Sequence, residues 1–176
     1  MNVTEARNIL VSGLYEYFSE SVVIYRSGQV NEEQEPPYII YSIVSDNGSG
    51  QVPGHYSVRA AGKDAEEIRQ EQTSATMSVI VCSQDRCRDE DYIYGEDEAQ
   101  ELAEKCKGWF LHTGYDYLSA NNIVIMDVTA VQNRNTLMVN EEVNRKGFDV
   151  MFAYVAEEKR SIPAAHGVNI KKETEG

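Results

Sequence analysis

The chain has 176 residues, 41% of them hydrophobic, and its 16 basic and 29 acidic side chains give a net charge of −13. This length suits one domain that buries its own core, and no apolar run is long enough to cross a bilayer. The charged and polar N-terminal stretch is unlike a secretory signal, so we expect a cytoplasm-like compartment. The negative charge argues against conventional DNA binding, but not against a protein that lets DNA slide past it.

An amphipathic helix is predicted at the start of the chain, with Thr4 as a fair N-cap. Its apolar residues recur at three- and four-residue steps over four turns: Ala6, Ile9, Leu10, Gly13, Leu14, Tyr17 and Phe18. A short β-rich run at residues 22–26 and a polar stretch follow. Pro36 and Pro37 then mark the entry to a strand over residues 38–44, where nearly every position is β-branched or aromatic.

Residues 45–64 hold four of the twelve glycines and have no long periodicity, which predicts a loop or an extruded arm. The next segment, residues 66–83, ends in a strand. There Ala75, Met77, Val79 and Val81 alternate with Thr76, Ser78, Ile80 and Cys82. Its first part, residues 66–74, fits either a helical turn or an extension of this strand. Alternating Gln, Thr and Ser residues favour the extension.

Residues 85–98 are rich in charge and are predicted to form a solvated loop. A carboxylate metal cluster is the less favoured alternative, because no EF-hand spacing is present. A second helix is predicted over residues 97–111, and Gly114 stops it. The apolar stripe of this helix contains Ala99, Leu102, Ala103, Cys106, Trp109 and Phe110.

Two strands that pair with each other are predicted within residues 121–155. The leading half of the first strand is apolar on both faces, which is typical of a central strand. One of its faces is predicted to carry Val124, Met126, Val128 and Ala130, and the other Ile123, Ile125 and Val131. In the second strand, a single face carries Phe148, Val150, Phe152 and Tyr154.

These elements predict one α+β domain over residues 1–160. Its sheet is expected to be antiparallel or mixed, with about five strands and two helices packed on one face, in the order helix, three strands, helix, two strands. The tail over residues 161–176 has no periodicity and is predicted to be flexible or docked on a partner.

Residues that could carry chemistry lack the partners that chemistry needs. His55, His112 and His166 have no metal-ligand spacing, and no nucleotide-binding or nucleophile motif is present. Asp116 and Asp127 are conceivable acid–base groups, yet structural carboxylates explain them better. We therefore expect no enzyme, no cofactor and no metal. The cysteines are expected to be reduced thiols: Cys82, Cys87 and Cys106.

Tyrosine is unusually frequent, with eleven in the chain, and it is an amphipathic residue that is enriched at protein interfaces. Many fall in or beside predicted strands and loops, including Tyr38, Tyr41, Tyr56, Tyr92, Tyr94 and Tyr154. Any one of them is explained by a half-buried position on a sheet. Together with the arm and the tail, they favour an assembly protein.

Four stretches carry a resemblance to a known family. They are the Pro-Pro-Tyr-Ile strand entry at residues 36–39, the strand TMSVIVCS at 76–83, the acidic-start helix that contains Trp109, and EEVNRKGFDVMFAYV at 141–155. With the N-terminal helix, this layout resembles the neck or tail terminator proteins of tailed bacteriophages, also called tail completion proteins. The resemblance covers residues 4–157 and leaves out the arm and the tail.

The resemblance implies a structural virion protein, assembled in the host cytoplasm, that forms a ring of typically six copies. Such a ring would cap the tail tube, join it to the head connector, contact the sheath of a contractile tail and let genomic DNA pass through without specific binding. It would involve no membrane. Exposure and charge then suggest contacts to a neighbouring subunit or to the tube at Arg134, Asn140, Glu141, Glu142, Arg145, His55 and Tyr56.

Other functions stay open at this point. A head completion or connector adaptor protein of the same neck would have a similar size and would also form a ring. An acidic binding protein, such as a DNA mimic or an inhibitor, is also consistent with the net charge of −13. A small cytoplasmic enzyme that uses Asp116 or Asp127 would need a deep pocket around one of these carboxyl groups.

Overall fold

A computed structural model describes residues 1–19, 21–29, 35–48, 53–61, 64–88, 91–135 and 143–163. Its helical segments are α1 (Val3–Tyr17), α2 (Gly95–Gly108), a π-helical turn (Trp109–Thr113) and α3 (Tyr115–Ala120). Its strands are β1 (Val23–Arg26), β2 (Tyr38–Asp46), β3 (His55–Ala61), β4 (Asp64–Gln84), β5 (Arg86–Arg88), β6 (Asp91–Ile93), β7 (Ile123–Val128), β8 (Gln132–Asn133) and β9 (Val143–Ile162).

Seven of these strands form one mixed sheet in the order β1-β2-β4-β9-β7, with β3 paired to β4 and β8 paired to β9. Strands β1 and β2 are parallel, and the other pairs in this sheet are antiparallel. The predicted α+β class and mixed sheet are confirmed. The sheet exceeds five strands because β3 forms within the predicted arm and β8 follows β7.

The core lies on one face of this sheet, beneath the helices. Every second residue of β4 and β9 points into it, as the alternation predicts: Ala75, Met77, Val79, Val81, Phe148, Val150 and Phe152. The helices cover these residues with the two predicted stripes, which bury Ala6, Leu10, Leu14, Phe18, Ala99, Ala103, Cys106, Trp109 and Phe110. Each large apolar side chain buried in this way contributes about 1.5–3 kcal/mol.

The start of α1 differs from its prediction, because the N-cap is Asn2 and not Thr4. The Asn2 side chain accepts a hydrogen bond from the Glu5 backbone N–H at 2.9 Å, and the Glu5 carboxylate accepts one from the Asn2 backbone N–H at 2.9 Å. This reciprocal capping box satisfies two backbone donors, whereas a cap at Thr4 would satisfy one.

The position of β7 contradicts its prediction as a central strand. It lies at the end of the sheet, with β9 as its only neighbour among the described strands. The faces also change, because the register shifts between Ile125 and Asp127 and Val128 then packs against the core. Val124 and Met126 stay exposed. A strand that is apolar on both faces is therefore not always covered on both faces by other elements of the same chain.

The described part of residues 85–98 is mostly exposed, as predicted, but it does not form a loop. Strands β5 and β6 form a two-stranded sheet within them, and α2 begins at Gly95, two residues before its predicted start. The Asp85 carboxylate accepts the Gly95 backbone N–H at 2.7 Å and so satisfies one donor at the start of α2. These short strands, in which half of the residues are charged, lack the apolar alternation from which a strand is predicted.

The helical region after α2 is longer than predicted. The chain continues through the π-helical turn, which ends at Gly114 as predicted. A third helix, α3, follows directly and was missed. It has only six residues, too few for an apolar stripe to show in the sequence.

The predicted loop or arm at residues 45–64 is partly strand. β2 continues to Asp46, β3 pairs with β4, and β4 begins at Asp64, so the strand extension favoured for residues 66–74 is correct. At the other end of the chain, β9 continues to Ile162. The rest of the predicted tail, residues 164–176, lies outside the described residues.

Candidate assembly surfaces

A three-stranded extension of the sheet, here named the arm, consists of β3, residues 64–71 of β4 and residues 156–162 of β9. Its strands pair in register, for example Tyr56 with Arg69 and Arg69 with Glu158. The side chains of residues 55–60 and 157–161 are exposed, and those of 65–69 are half-buried. At about 3.4 Å per residue, the arm reaches roughly 25–30 Å beyond the part of the sheet that carries the core.

Charged pairs within and across the strands reinforce the backbone pairing of the arm. Arg160 donates two hydrogen bonds to the Glu67 carboxylate, at 2.8 and 2.9 Å. Arg69 pairs with the buried carboxylate of Glu71 at 2.5 Å and with Glu158 at 3.3 Å. These contacts add to the backbone pairing in a region where few apolar side chains are buried. A side chain that points away from them is available for a partner.

Strand β3 forms one edge of the arm, and β4 is its only neighbour among the strands described. Its register places Tyr56, Val58 and Ala60 on one face. Tyr56 is 54% exposed and Val58 is 64% exposed. An exposed edge strand that carries apolar side chains is a ready template for pairing with another chain.

The second surface is a groove of about 640 Å³ along β7, here named the β7 groove. Its wall on the helix side contains Leu111 and Tyr115, which are 59% and 70% exposed, and β7 contributes Val124 and Met126, which are 61% and 56% exposed. Val155 from β9 extends the same apolar lining. A contiguous apolar patch that follows a strand edge is typical of an interaction site, whereas single exposed apolar residues are ordinary on a protein surface.

Two of the predicted contact residues lie together at the opposite end of β9 from the arm. The Arg134 guanidinium donates to Ser78 Oγ at 2.5 Å and pairs with the Asp149 carboxylate at 3.0 Å. The Arg134 backbone N–H donates to the Arg145 carbonyl at 2.8 Å. The Arg134 side chain lies across Gly147, where an added Cβ would be 2.7 Å from its Cδ. Arg134 therefore anchors β8 on the face of the sheet opposite the helices.

The predicted contact residues thus fall into separate regions. His55 and Tyr56 begin β3 in the arm, and His55 is aligned across β4 with Glu157 of β9. Arg145 lies twelve positions before Glu157 on β9, which is about 40 Å along the strand. The structure brings Arg134 and Arg145 together and separates them from the arm. Outside the described residues lie Asn140, Glu141 and Glu142.

A polar cluster joins the end of β4 to α2. Arg86 donates to both oxygens of the Glu98 carboxylate, at 2.7 and 2.8 Å, and the Ser83 hydroxyl donates to the same carboxylate. The Arg86 hydrogen bonds lower the pKa of Glu98 against the opposing effect of burial, and the Ser83 hydroxyl lowers it further. The cluster holds the helix to the sheet and has the geometry of a structural ion pair.

The structure offers no support for a catalytic centre in the residues it describes. Asp116 and Asp127 are exposed, and the described part of the chain holds no group of three or more His, Cys, Asp or Glu side chains placed to bind a metal ion. Cys106 is buried, which raises the pKa of its thiol, and Cys82 is buried too, whereas Cys87 is exposed. Of the helices described, none is long and apolar enough to span a membrane.

Sequence reasoning missed the β7 groove, since it placed β7 in the middle of the sheet. The signal against a central position is Asp127, because ionisable residues are rarely covered on both sides in a central strand. Leu111 carried a second signal, since it lies one position outside the apolar stripe of the predicted helix. Such signals indicate exposure, but they do not reveal that residues from the π-helical turn, α3 and β7 line one groove.

Comparison with models of known protein families identifies the family of this chain. A family model described as phage neck terminator protein matches residues 8–176, nearly the entire chain. The chain belongs to the phage neck terminator family. No curated protein matches it significantly.

Membership makes this neck terminator a structural protein of the phage virion, located at the neck, in a family that is not a known enzyme family. The resemblance drawn from residues 36–39, 76–83 and 141–155 and from the helix around Trp109 is confirmed. The family match also extends through residues 45–64, where the sequence predicted an arm, and through the tail, both of which the resemblance left out. The exposed arm and the β7 groove are therefore features of a protein that works inside a larger assembly.

Proposed function

We propose that this neck terminator forms a ring, of six copies, that ends the tail tube and joins it to the head connector. The β7 groove is the observation that carries this proposal, because it exposes apolar side chains along an open strand edge. A protein that works as a monomer gains nothing from such an edge, whereas a ring subunit buries it.

The two exposed surfaces favour a ring over a symmetric dimer. The arm and the β7 groove are different surfaces of one copy, and a contact between two different surfaces is heterologous. Repetition of such a contact leads from each subunit to the next and closes into a ring when the rotation fits. A symmetric dimer would instead use the same surface on both copies.

The charge of the chain suits passage of DNA through the ring. Each copy carries a net charge of −13, so a ring of several copies repels the phosphate backbone of DNA in its lumen. The genome can then pass without adhering to the wall. The same repulsion acts between subunits, so the contacts that close the ring must include apolar burial.

The predicted contact residues enter this proposal as two regions. We assign the segment around Arg134, Asn140, Glu141, Glu142 and Arg145 to one contact with a subunit or the tube, and His55 and Tyr56 of the arm to another. Neutralising Glu141 and Glu142 together, as Glu141→Gln and Glu142→Gln, is expected to weaken ring assembly or tail joining. If both steps are intact in the double variant, those two residues are not contacts.

Light scattering and negative-stain imaging of the purified protein, alone and mixed with the cognate tube protein, test the proposal. We expect a ring, or a cap at one end of each tube. A protein that stays monomeric and leaves tube ends bare would contradict it. A parallel mixture with the purified head connector tests the alternative. Binding to the connector, without binding to tubes, would identify a head-side adaptor.

A further inference from the structure

We propose that β3 of one copy pairs along β7 of the next copy and fills its groove, so that the sheet continues from subunit to subunit. This inference rests on the proposed ring and names the contact that closes it. Both strands lie at sheet edges, where each has one neighbour among the described strands. Each therefore offers backbone N–H and C=O groups along its outer side. The lengths also match, since β3 has seven residues and β7 has six.

One copy cannot make this contact by itself. β3 pairs with β4, β4 pairs with β9, and β9 pairs with β7, so two strands separate β3 from β7 within the sheet. The two free edges face opposite ways. β3 can reach a β7 groove only on another copy, and the arm carries β3 well beyond the core for that purpose.

The apolar side chains of the two surfaces are complementary in pattern. β3 presents Tyr56 and Val58 from one face at alternate positions. The β7 groove has exposed apolar side chains on its helix-side wall, at Leu111 and Tyr115. A strand laid beside β7 with its Tyr56 face toward this wall buries apolar surface on both partners, which supplies the stability that two like-charged subunits need.

The charged side chains fit the same arrangement. Arg59 alternates with Val58 and so points to the opposite face of β3. Asp127 is exposed on β7 and is paired with Met151, which lies on the face of the sheet opposite the helices. With Tyr56 and Val58 turned toward the helix side, Arg59 is on the face where Asp127 lies. Arg59 of one copy then lies near Asp127 of the next, and their attraction opposes the repulsion between the negatively charged subunits.

Cross-linking of two single-cysteine variants tests the pairing directly. Cys87→Ser removes the exposed thiol, and the other two cysteines are buried. In this background, one protein carries Val58→Cys and the other carries Leu111→Cys, because both side chains lie on the helix side of the proposed contact. With tubes present, a short bismaleimide is expected to join the two proteins in a mixture but to leave each protein uncross-linked by itself.

Charge substitutions test whether the contact closes the ring. Val58→Glu and Leu111→Glu each place a carboxylate in the apolar contact on the helix side, and we expect at least a tenfold loss of ring or cap formation. Both residues are exposed, so the thermal unfolding of the variants should match that of wild type. Val44→Glu is the matched control, because Val44 is also exposed but lies on β2, away from both strands. Arg59→Glu and Asp127→Arg should each weaken assembly, and the double variant should restore it.

The outcomes separate this contact from the ring itself. If wild-type protein forms neither rings nor caps, the proposed function fails and this contact fails with it. If wild type assembles and Val58→Glu and Leu111→Glu assemble equally well, the ring stands and the β3–β7 contact is overturned. If Leu111→Glu forms rings that no longer bind tubes, the groove holds the tube protein, and a second copy is the wrong occupant.

Discussion

At the scale of single residues, Gly13 shows how closely the helices approach each other. It lies on α1 and is buried against the rings of Trp109 and Tyr117. A Cβ at this position would lie 2.8 Å from the Trp109 ring and closer still to the Tyr117 ring, so both aromatic side chains would have to move. The glycine therefore permits helix packing and is not needed for an unusual backbone angle.

Gly13→Ala is expected to lower the free energy of unfolding by about 1–3 kcal/mol, because it overpacks this contact. Chemical denaturation followed by circular dichroism measures the change. Gly108→Ala is the control, since Gly108 has helical backbone angles and no atom within 4 Å of the added Cβ. It should be neutral or stabilise the protein by about 0.5–1 kcal/mol. Equal stability of the two variants would show that the rings move without cost.

The Glu98 carboxylate shows how one ion pair makes stability depend on pH. Arg86 and Ser83 hold the pKa of Glu98 below its usual value, so the folded state binds this proton less readily than the unfolded chain does. The stabilisation is complete above the unfolded pKa of about 4.3 and is lost as pH falls through the lower pKa of the folded state.

Glu98→Gln should therefore destabilise the protein by about 1–3 kcal/mol at pH 7, the range for hydrogen bonds to a charged group. The difference from wild type should shrink as pH falls below about 4, because the wild-type carboxyl group then becomes neutral too. Urea unfolding of both proteins at several pH values between about 3 and 7 measures this difference in the free energy of unfolding. Glu101→Gln on the exposed side of α2 is the control and should change little. A difference that does not vary with pH would show that charge plays no part.

At the scale of elements, the short strand β8 is attached to the sheet by the side chain of Arg134 as well as by backbone pairing. Only Gln132 and Asn133 pair with β9, at Gly147 and Lys146. Arg134 adds contacts to Ser78 and Asp149 on the face of the sheet opposite the helices. The arginine was predicted as an interface contact, and the structure gives it an anchoring role that any interface role would have to share.

Arg134→Met keeps an unbranched chain over Gly147 and removes the hydrogen bond to Ser78 and the ion pair to Asp149. We expect faster hydrogen exchange at the backbone N–H groups of Gln132 and Arg134, which face β9, with global stability lowered by about 1–2 kcal/mol. Hydrogen exchange followed by NMR resolves the local change. If exchange is unchanged while assembly is lost, Arg134 acts at an interface and does not anchor β8.

At the scale of the whole molecule, β4 and β9 join two regions that differ in what stabilises them. They pair over twenty positions, and the same two strands form the centre of the core and two-thirds of the arm. The core region is held by buried apolar side chains, and the arm by backbone pairing with a few cross-strand ion pairs. Unfolding stability therefore resides in the core region, and substitutions on exposed positions of the arm should alter assembly alone.

The net charge of −13 gives a prediction about assembly as a whole. Subunits repel one another, and raising the salt concentration from about 20 to 200 mM shortens the range of this repulsion. Ring formation should therefore strengthen over this range when sedimentation measures it at fixed protein concentration. Weaker assembly at higher salt would indicate that ion pairs across the contact outweigh both apolar burial and the net charge.

The candidate surfaces were predictable only in part. His55 and Tyr56 were assigned to an arm from the glycines around them, and they lie in its edge strand. Val124 and Met126 were assigned to a buried strand, because local alternation reports which residues are apolar and not whether a neighbouring layer exists. Asn140, Glu141 and Glu142 stay predictions, since they lie outside the described residues.

The sequence by itself determined the α+β class, the two apolar stripes of the helices, the core face of β4 and β9 and the family, because each depends on local periodicity or on the pattern of the chain. The tertiary structure alone decided that β7 lies at an edge, that β3 lies at the other edge, and that residues from the π-helical turn, α3 and β7 share one groove. These facts depend on which strands pair although they are far apart in the sequence. The periodicity of a single strand does not reveal its position in the sheet.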